Sequence, residues 1–240
     1  MPETPYYVLA IDTAMAGCSA AVFDVNADKT YSICKQMPRG QAEHLVPMVQ
    51  DCVNQAGIAF EDIGLIAVTV GPGAFTGLRI GLSTARSFGV ALDVPVVGVT
   101  TLEALAHDYL SQNSLEGHDA LLVVIETKRK DFYWQAFGSD GSELTEAAAQ
   151  DAGEAVLWAK SKGFACVMIG DACERFTSEV PEHDFRQEKE YFLPSPEVMA
   201  KVAVSQFSKG MARGSEPLYL RDADVSMSKR EQRVIEQNSK

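Results

Sequence analysis

Residues 6–36, YYVLAIDTAMAGCSAAVFDVNADKTYSICKQ, contain three short apolar runs, at residues 6–12, 18–24 and 30–36. Small and polar residues separate the runs from one another. Short apolar runs that are bounded by such turn-forming residues indicate β-strands. The stretch therefore predicts a three-stranded antiparallel meander at the start of the fold.

Beyond this meander, strands and helices alternate. Apolar residues recur every three or four positions over residues 44–56, which indicates an amphipathic helix. Pro47 fits that helix only if it begins close before the proline, where a missing N–H costs nothing. We then expect a strand at 64–70, a helix at 76–92, a strand at 95–99 and a helix opened by the capping box Thr100-Thr101-Leu102-Glu103. The order βββαβαβα resembles the half-domains of ribonuclease-H-like proteins and of the actin, Hsp70 and sugar-kinase superfamily.

The second half of the chain shows a weaker version of the same pattern and no internal repeat that can be read from the sequence. We expect strands at 119–126 and 132–138, a helix at 151–162, a strand at 164–170 and a last helix from Pro196 to about Arg213. The predicted fold is a two-lobed α/β fold, with a well-formed N-terminal lobe over 1–110, a reduced C-terminal lobe over 111–225 and a flexible polar tail over 226–240.

Composition describes an ordinary globular protein and argues against several functions. The 240 residues carry a formal net charge of −12, which makes a broad basic surface for nucleic acid unexpected. The N-terminus lacks the features of a secretory signal, and no apolar run reaches about 18 residues, so we expect a cytoplasmic protein. The five cysteines include no C-x-x-C pair, and we interpret them as reduced and structural.

The most informative motif is the glycine-rich stretch GPGAFTGLRIG at residues 71–81, between a predicted strand and a predicted helix. Backbone N–H groups at such a turn can bind an anion, and the helix dipole favours the negative charge. Asp12 and Thr13, at the end of the first strand, would lie beside the phosphates in an actin-like fold. The alternatives are a tight turn that needs glycines and an ordinary turn started by Asp12.

A stripe of small residues follows in the same helix, since Gly77, Gly81, Ala85 and Gly89 recur every four positions. Each interior glycine costs roughly 1 kcal/mol relative to alanine, so close packing against another backbone must offset that cost. The neighbour could lie within the chain or in a second subunit. We favour the second subunit, because single helices in α/β domains seldom need so many glycines to cover a sheet.

Motifs for independent catalysis are scarce. The four histidines, His44, His107, His118 and His183, have no metal-ligand spacing, and no G-x-S-x-G motif supports a serine hydrolase. The short basic segment Lys128-Arg129-Lys130 precedes an aromatic strand, and we interpret it as a solvated loop.

Several stretches together resemble the TsaB family of tRNA threonylcarbamoyladenosine biosynthesis proteins. The resemblance is strong over residues 7–108 and patchy beyond them, and the glycine-rich stretch at 71–81 is its most specific part. The other matching stretches are residues 9–14, 18–19, 43–49, 97–102 and 216–221.

This resemblance implies an ASKHA fold and a partnership with TsaD, the catalytic paralogue that transfers the threonylcarbamoyl group to adenosine 37 of tRNAs reading ANN codons. TsaD holds its metal with two histidines, and alignment of that motif puts Thr101 and Leu105 at the two positions. Leucine cannot ligate a metal, so we expect neither a metal site nor a catalytic residue. Asp171 stands where a nucleotide would approach, so we do not expect the chain to bind ATP on its own.

The function implied by the resemblance is that of a non-catalytic scaffold, a pseudo-enzyme subunit that activates TsaD through a helical dimer interface. The expected interface residues are His44, Leu45, Met48, Gly77, Gly81, Ala85 and Gly89. A vestigial or shared phosphate site is expected at Asp12, Thr13, Gly71, Gly73 and Thr76. We expect no cofactor of the chain's own, and any ATP or ADP would be shared with TsaD at the interface. The implied partners are TsaD in a heterodimer, TsaE through the complex, tRNA only indirectly and a second copy when the chain is alone, with no membrane.

Two enzymatic alternatives remain at this point. One is a glycoprotease-type metallopeptidase of the M22-like class, which would need a metal or a nucleophile paired with a base. The other is a small-molecule kinase of the ASKHA superfamily, which predicts tight ATP binding by the isolated chain.

Overall fold

The computed structural model describes residues 6–188 and 190–221, and these residues form two five-stranded sheets with helices packed on them. The first sheet contains β1 (Tyr7–Asp12), β2 (Gly17–Asp24), β3 (Lys29–Gln36), β4 (Ile63–Gly71) and β5 (Val96–Thr100). Its strand order is β3-β2-β1-β4-β5. Strands β1, β2 and β3 pair antiparallel, as the sequence predicted, whereas β4 and β5 extend the sheet in parallel with β1.

The second sheet repeats this topology with shorter strands. It contains β6 (Ala120–Glu126), β7 (Phe132–Phe137), β8 (Ala148–Gln150), β9 (Cys166–Ile169) and β10 (Arg186–Gln187). The order is β10-β9-β6-β7-β8. When this order is reversed, β8, β7, β6, β9 and β10 occupy the places of β3, β2, β1, β4 and β5 in the first sheet. Strands β6 and β7 are again antiparallel, and β6, β9 and β10 are parallel. The two-lobed α/β fold that the sequence predicted is confirmed.

Six α-helices cover the sheets of the described part of the chain: α1 (Gln41–Ala56), α2 (Phe75–Leu92), α3 (Thr101–Gln112), α4 (Ala152–Lys162), α5 (Cys173–Glu179) and α6 (Pro196–Ser208). The apolar faces of α1 and α2 pack on one face of the first sheet, and α6 packs on its other face. A further core joins the lobes, because Met15 and Leu78 pack with Leu121 and Ile125 of the second sheet. None of the described helices combines the length and apolar character that a membrane span requires.

Most elements lie within a few residues of their predicted positions, with instructive exceptions. Helix α1 begins at Gln41, after Gly40 in the left-handed conformation, so Pro47 lies inside the helix rather than at its start. Helix α6 ends at Ser208 rather than near residue 213, because Gly210 adopts a positive φ of 68°. The sequence missed β8, α5 and β10, which have only 3, 7 and 2 residues. The predicted tail over 226–240 lies outside the described residues.

Candidate functional site

The loop between β1 and β2 sits directly on the glycine-rich turn that precedes α2. The Ala74 amide donates to the Ala14 carbonyl at 2.7 Å, and the Thr13 hydroxyl donates to the Gly77 carbonyl at 2.7 Å. A Cβ atom on Gly73 would lie 2.3 Å from the Ala14 carbonyl oxygen. The chain itself therefore occupies the space beside these two glycines, which need to be glycine because another part of the backbone approaches so closely.

Asp12, the predicted phosphate-site carboxylate, is buried and bonded within the first lobe. Its Oδ1 atom accepts a 2.6 Å hydrogen bond from the Thr69 hydroxyl and a 2.9 Å bond from the Ala14 amide. Burial raises the pKa of Asp12 to about 6, although these hydrogen bonds act in the opposite direction. The carboxylate thus holds the β1–β2 loop to β4, and only 1% of the Asp12 surface is exposed.

The remaining residues of the predicted phosphate site differ in exposure. Gly71 is buried and has a φ of 110°, a conformation that favours glycine, and the Leu218 carbonyl oxygen would lie 3.0 Å from a Cβ there. Thr76 is exposed in the first turn of α2. Of the predicted set, Thr76 therefore has the side chain best placed to reach a ligand.

The small-residue stripe of α2 faces the interior of its own chain. A Cβ on Gly77 would lie 2.1 Å from the Thr13 carbonyl oxygen, and one on Gly81 would lie 2.6 Å from the Thr13 hydroxyl oxygen. A Cβ on Gly89 would lie 2.4 Å from a methyl group of Val96, and Ala85 is fully buried. The expectation that these four residues contact a second subunit is wrong, because the β1–β2 loop and β5 already fill the space beside them.

Two of the interface residues predicted on α1 are also core residues. Leu45 is fully buried and Met48 is 3% exposed, and both pack between α1 and the first sheet. The prediction that they contact a partner is wrong, because both side chains are buried in the core of the first lobe. His44 is exposed and can contact a partner.

A cleft of about 1100 Å³ opens between the two lobes beside the start of α2. Residues 14–16 and 73–80 line it from the first lobe, and residues 125–129 line it from the second. Its cationic side chains are Arg39, Arg79, Lys128, Arg129 and Arg221, and its acidic ones are Glu43, Glu126 and Asp171. Sequence reasoning singled out Lys128 and Arg129 only as a solvated loop and missed Arg39 and Arg79, because they lie on separate elements.

The positions that the resemblance aligns with metal ligands are internal. Thr101 and Leu105, on the first turns of α3, are both fully buried, and Leu105 packs in the core that joins the lobes. Among the described residues, no group of three or more histidine, cysteine or acidic side chains stands close enough to hold a metal ion. Asp171 lies in the cleft, where its Oδ1 atom accepts a 2.8 Å hydrogen bond from the Glu126 amide.

Comparison with known proteins assigns this architecture to a family. A family model described as "TsaD: tRNA N6-adenosine threonylcarbamoyltransferase" matches residues 35–158, which is just over half of the chain. The chain belongs to the TsaD/TsaB family. Within it, the chain is 29% identical over 225 residues to the tRNA threonylcarbamoyladenosine biosynthesis protein TsaB of Escherichia coli (strain K12), covering 90% of this chain and 94% of that protein.

Solved structures support the same assignment of the TsaD/TsaB fold. A crystal structure from Pseudomonas aeruginosa, described as an uncharacterized protein with similarity to peptidase YEAZ, has a TM-score of 0.71 and 25% identity, and covers 90% of this chain and 99% of that one. A second structure, YeaZ from Pseudomonas aeruginosa, has a TM-score of 0.70 and 24% identity, and covers 89% and 99% of the two chains. The TsaB-family resemblance and the ASKHA fold that it implies are confirmed.

Proposed function

We propose that this chain is a non-catalytic scaffold that activates TsaD in the synthesis of N6-threonylcarbamoyladenosine at position 37 of tRNAs reading ANN codons. Membership of the TsaD/TsaB family and the similarity to TsaB of Escherichia coli support a role in threonylcarbamoyladenosine biosynthesis. The scaffold role is the finer part of the proposal, and it rests on how the described residues divide between core and surface.

The observation that carries the proposal is a set of exposed apolar side chains on α1 and α2, which we propose as a docking face for a partner. We define this docking face by five exposed residues of the two helices: Ala42, Val46, Phe75, Ser83 and Val90. Val46 is 50% exposed, Phe75 51% and Val90 86%, although each is a large apolar side chain. A shallow groove between the start of α1 and α2 is lined by Ala42, Ile80 and Ser83, among others. Apolar exposure of this kind on neighbouring helices is typical of a protein contact surface.

The use of the polar groups in the first lobe supports a non-catalytic role. Asp12 and Thr13, which would face a phosphate in an actin-like enzyme, donate to or accept from groups of their own lobe. Leu105 stands in the core at a position where the resemblance places a metal-binding histidine in TsaD. Asp12 and Thr13 therefore stabilise the first lobe itself, and their side chains are not directed at a substrate.

The proposed partners follow from the docking face. TsaD would bind there in a heterodimer, a second copy would bind there when TsaD is absent, and TsaE would join through the complex. Contact with tRNA would be indirect, since the whole chain carries a net charge of −12. Any ATP or ADP would be shared with TsaD, and the exposed Thr76 beside the cleft is the residue of this chain that we expect to reach it.

The test compares two serine substitutions on exposed helix surfaces. Ser83→Arg places a long charged side chain on the docking face, whereas the control, Ser205→Arg, places it on the exposed surface of α6. We expect Ser83→Arg to abolish co-elution with TsaD in size-exclusion chromatography with light scattering and to lower tRNA modification by TsaD. The control should bind and activate TsaD normally. Undiminished binding by Ser83→Arg would contradict the proposed docking face.

The enzymatic alternatives predict different results from the isolated chain. A metallopeptidase should contain stoichiometric zinc or iron that is lost when His44 or His107 is replaced. A small-molecule kinase should release heat on titration with ATP at concentrations well below millimolar. We expect neither result from the purified chain.

A further inference from the structure

Residues 213–221, the C-terminal strap, run from α6 across the first lobe to the mouth of the cleft. The strap bonds to two strands of the first sheet, because the Gly98 amide donates to the Arg213 carbonyl at 2.9 Å and the Leu218 amide donates to the Val70 carbonyl at 2.7 Å. Leu218 also packs against the core between the first sheet and its helices. These contacts fix the base of the strap to the first lobe.

Helix α2 adds two further contacts to the base of the strap. The Arg86 guanidinium donates to the hydroxyl and the carbonyl of Ser215. The rings of Phe75 and Tyr219 lie 5.8 Å apart. The strap is therefore bound to the first lobe by backbone hydrogen bonds, by an apolar contact and by side chains of α2.

The contacts of the strap with the second lobe are of another kind. Arg221 forms an ion pair with Asp131 in the loop between β6 and β7, and its guanidinium lies 5.7 Å from the centre of the Tyr133 ring. Arg213 forms a longer ion pair with Glu143, at 3.8 Å, in which both side chains are more than 40% exposed. The strap thus reaches the second lobe through charged side chains rather than through its backbone.

We propose that the C-terminal strap is a latch that holds the two lobes together across the cleft. Its end at residues 218–221 lines the cleft together with residues 125–129 of the second lobe. The lobes also share the core that contains Met15, Leu78, Leu121 and Ile125, and the strap adds a connection at the cleft mouth. Release of its ion pairs lets the lobes move apart, and the strap stays with the first lobe because its base is bonded there.

The chemistry of the second-lobe contacts makes the latch sensitive to salt. Ion pairs between partly exposed side chains are individually weak and are screened at high ionic strength. Asp131 directly follows three cationic residues, Lys128, Arg129 and Lys130, in the sequence. The backbone contacts with the first lobe are short-range and do not depend on charge. Salt is therefore expected to release the second-lobe end only.

The experiment measures the distance between the lobes in the full-length chain by pulsed electron paramagnetic resonance. One spin label goes on the natural Cys34, the exposed cysteine of β3, and the other on Lys160→Cys, an exposed position of α4. Labelled chain is diluted with an excess of unlabelled chain, so that only distances within one chain are measured. The same pair is then recorded in the double variant Arg213→Ala/Arg221→Ala and in the control Arg186→Ala, which loses two ion pairs outside the strap.

We expect one narrow distance distribution for the native chain at low salt and an added longer-distance population in the double variant. Loss of two weak ion pairs corresponds to an about fivefold rise in the ratio of open to closed lobes. About 1 M salt should move the native chain toward the variant and leave the variant unchanged. Arg221→Lys, which keeps the charge, should retain most of the native distribution, and circular dichroism checks that each variant is folded.

The latch is refuted if the folded double variant gives the native distribution at both salt concentrations. It is also refuted if Arg186→Ala broadens the distribution as much as the double variant does, since the effect would then belong to surface charge in general. These measurements use the chain without TsaD, so their outcome is independent of the proposed docking face.

Discussion

In both lobes the first strand ends at an acidic residue, but the environment of that residue differs between the two lobes. Strand β1 ends at Asp12 and β6 ends at Glu126, and in each lobe the amide two residues later donates to that carboxylate. Asp12 is buried against β4, and burial raises its pKa to about 6. Partial burial acts to raise the pKa of Glu126 as well, but hydrogen bonds from Arg175 and the Lys128 amide outweigh it, and the pKa lies below its ordinary value.

The contrast shows that one topology supports two opposite electrostatic designs. In the first lobe α2 has 18 residues and a glycine stripe that lets the β1–β2 loop close over Asp12. In the second lobe α5 has 7 residues and presents Arg175, whose guanidinium donates to both oxygens of Glu126. Close packing therefore buries Asp12 in the first lobe, whereas the Arg175 guanidinium stabilises the ionised Glu126 carboxylate at the cleft in the second lobe.

The largest expected effect comes from adding one methyl group to a helix glycine of the first lobe. In Gly77→Ala the new Cβ would lie 2.1 Å from the Thr13 carbonyl oxygen, so the backbone must shift. We expect the free energy of unfolding to fall by about 3 kcal/mol or more, measured by urea denaturation. The matched control in the second lobe is Gly153→Ala in α4, where the nearest atom is a side-chain oxygen of Asp151 at 3.1 Å.

The control should change the free energy of unfolding by less than about 1 kcal/mol, because alanine favours the helix and the neighbouring side chain can move. Equal losses in Gly77→Ala and Gly153→Ala would contradict the close approach that distinguishes the first lobe. Gly81→Leu should likewise destabilise the chain itself, because the side chain would enter the space of Thr13.

The second prediction concerns the pH dependence of stability that Asp12 produces. Its pKa is about 6 in the folded chain, above the ordinary value of 3.8, so the folded state keeps a proton that the unfolded state has already released. Stability should therefore fall by about 3 kcal/mol as the pH rises from about 4 to beyond 6. Asp12→Asn, which cannot ionise, should lack this fall in urea denaturation at a series of pH values.

Subtraction of the two pH profiles isolates Asp12 from the other carboxyl groups. A difference between native chain and Asp12→Asn that stays constant over this pH range would mean that the buried carboxyl group does not titrate as the structure requires.

The smallest effect is expected in the second lobe, on replacement of Arg175 by alanine. The variant loses hydrogen bonds to Glu126, Glu179 and the Asp131 carbonyl, together with the contact of the guanidinium with the Phe132 ring. We expect the free energy of unfolding, measured by urea denaturation near pH 7, to fall by about 2 kcal/mol. The pKa of Glu126 is lowered on folding, so its contribution is present above its ordinary pKa and disappears as the pH falls.

The difference between Arg175→Ala and the native chain should accordingly shrink below about pH 4, which is the opposite direction to the Asp12 effect. Arg186→Ala serves as the control, because Arg186 also pairs with two carboxylates, Glu116 and Glu188, but at a more exposed position. Arg186→Ala should lower the free energy of unfolding by less than about 1 kcal/mol. A larger loss from Arg186→Ala than from Arg175→Ala would reverse the proposed ranking.

The elements of the first lobe were predictable because their signals are local. Short apolar runs bounded by turn-forming residues predicted β1, β2 and β3. The capping box at Thr100 marked the start of α3, where the Thr100 hydroxyl accepts a hydrogen bond from the Glu103 amide. The second lobe was harder, because β8 and β10 are too short to show a period. The repeat of strand order became visible only when strands that are distant in sequence were paired.

The sequence located the residues of the candidate site but did not show which groups their side chains face. The glycine-rich turn, Asp12 and the small-residue stripe do lie together, as their motifs suggested. Whether they faced a phosphate, a partner or the chain itself depended on the position of Thr13, which is 64 residues from Gly77. The exposed face of α2, with Ser83 and Val90, gave no comparable sequence signal, because small polar and single apolar residues are common on any helix surface.

The sequence by itself determined most of the helices and strands, the positions where glycines cluster and the net charge of −12. Those properties follow from neighbours along the chain and from composition. The tertiary structure decided which side of α2 is core, that Asp12 is buried and that Arg213 and Arg221 reach across to the second lobe. Such properties depend on atoms brought together from distant parts of the chain, and periodicity carries no information about which distant group fills a given space.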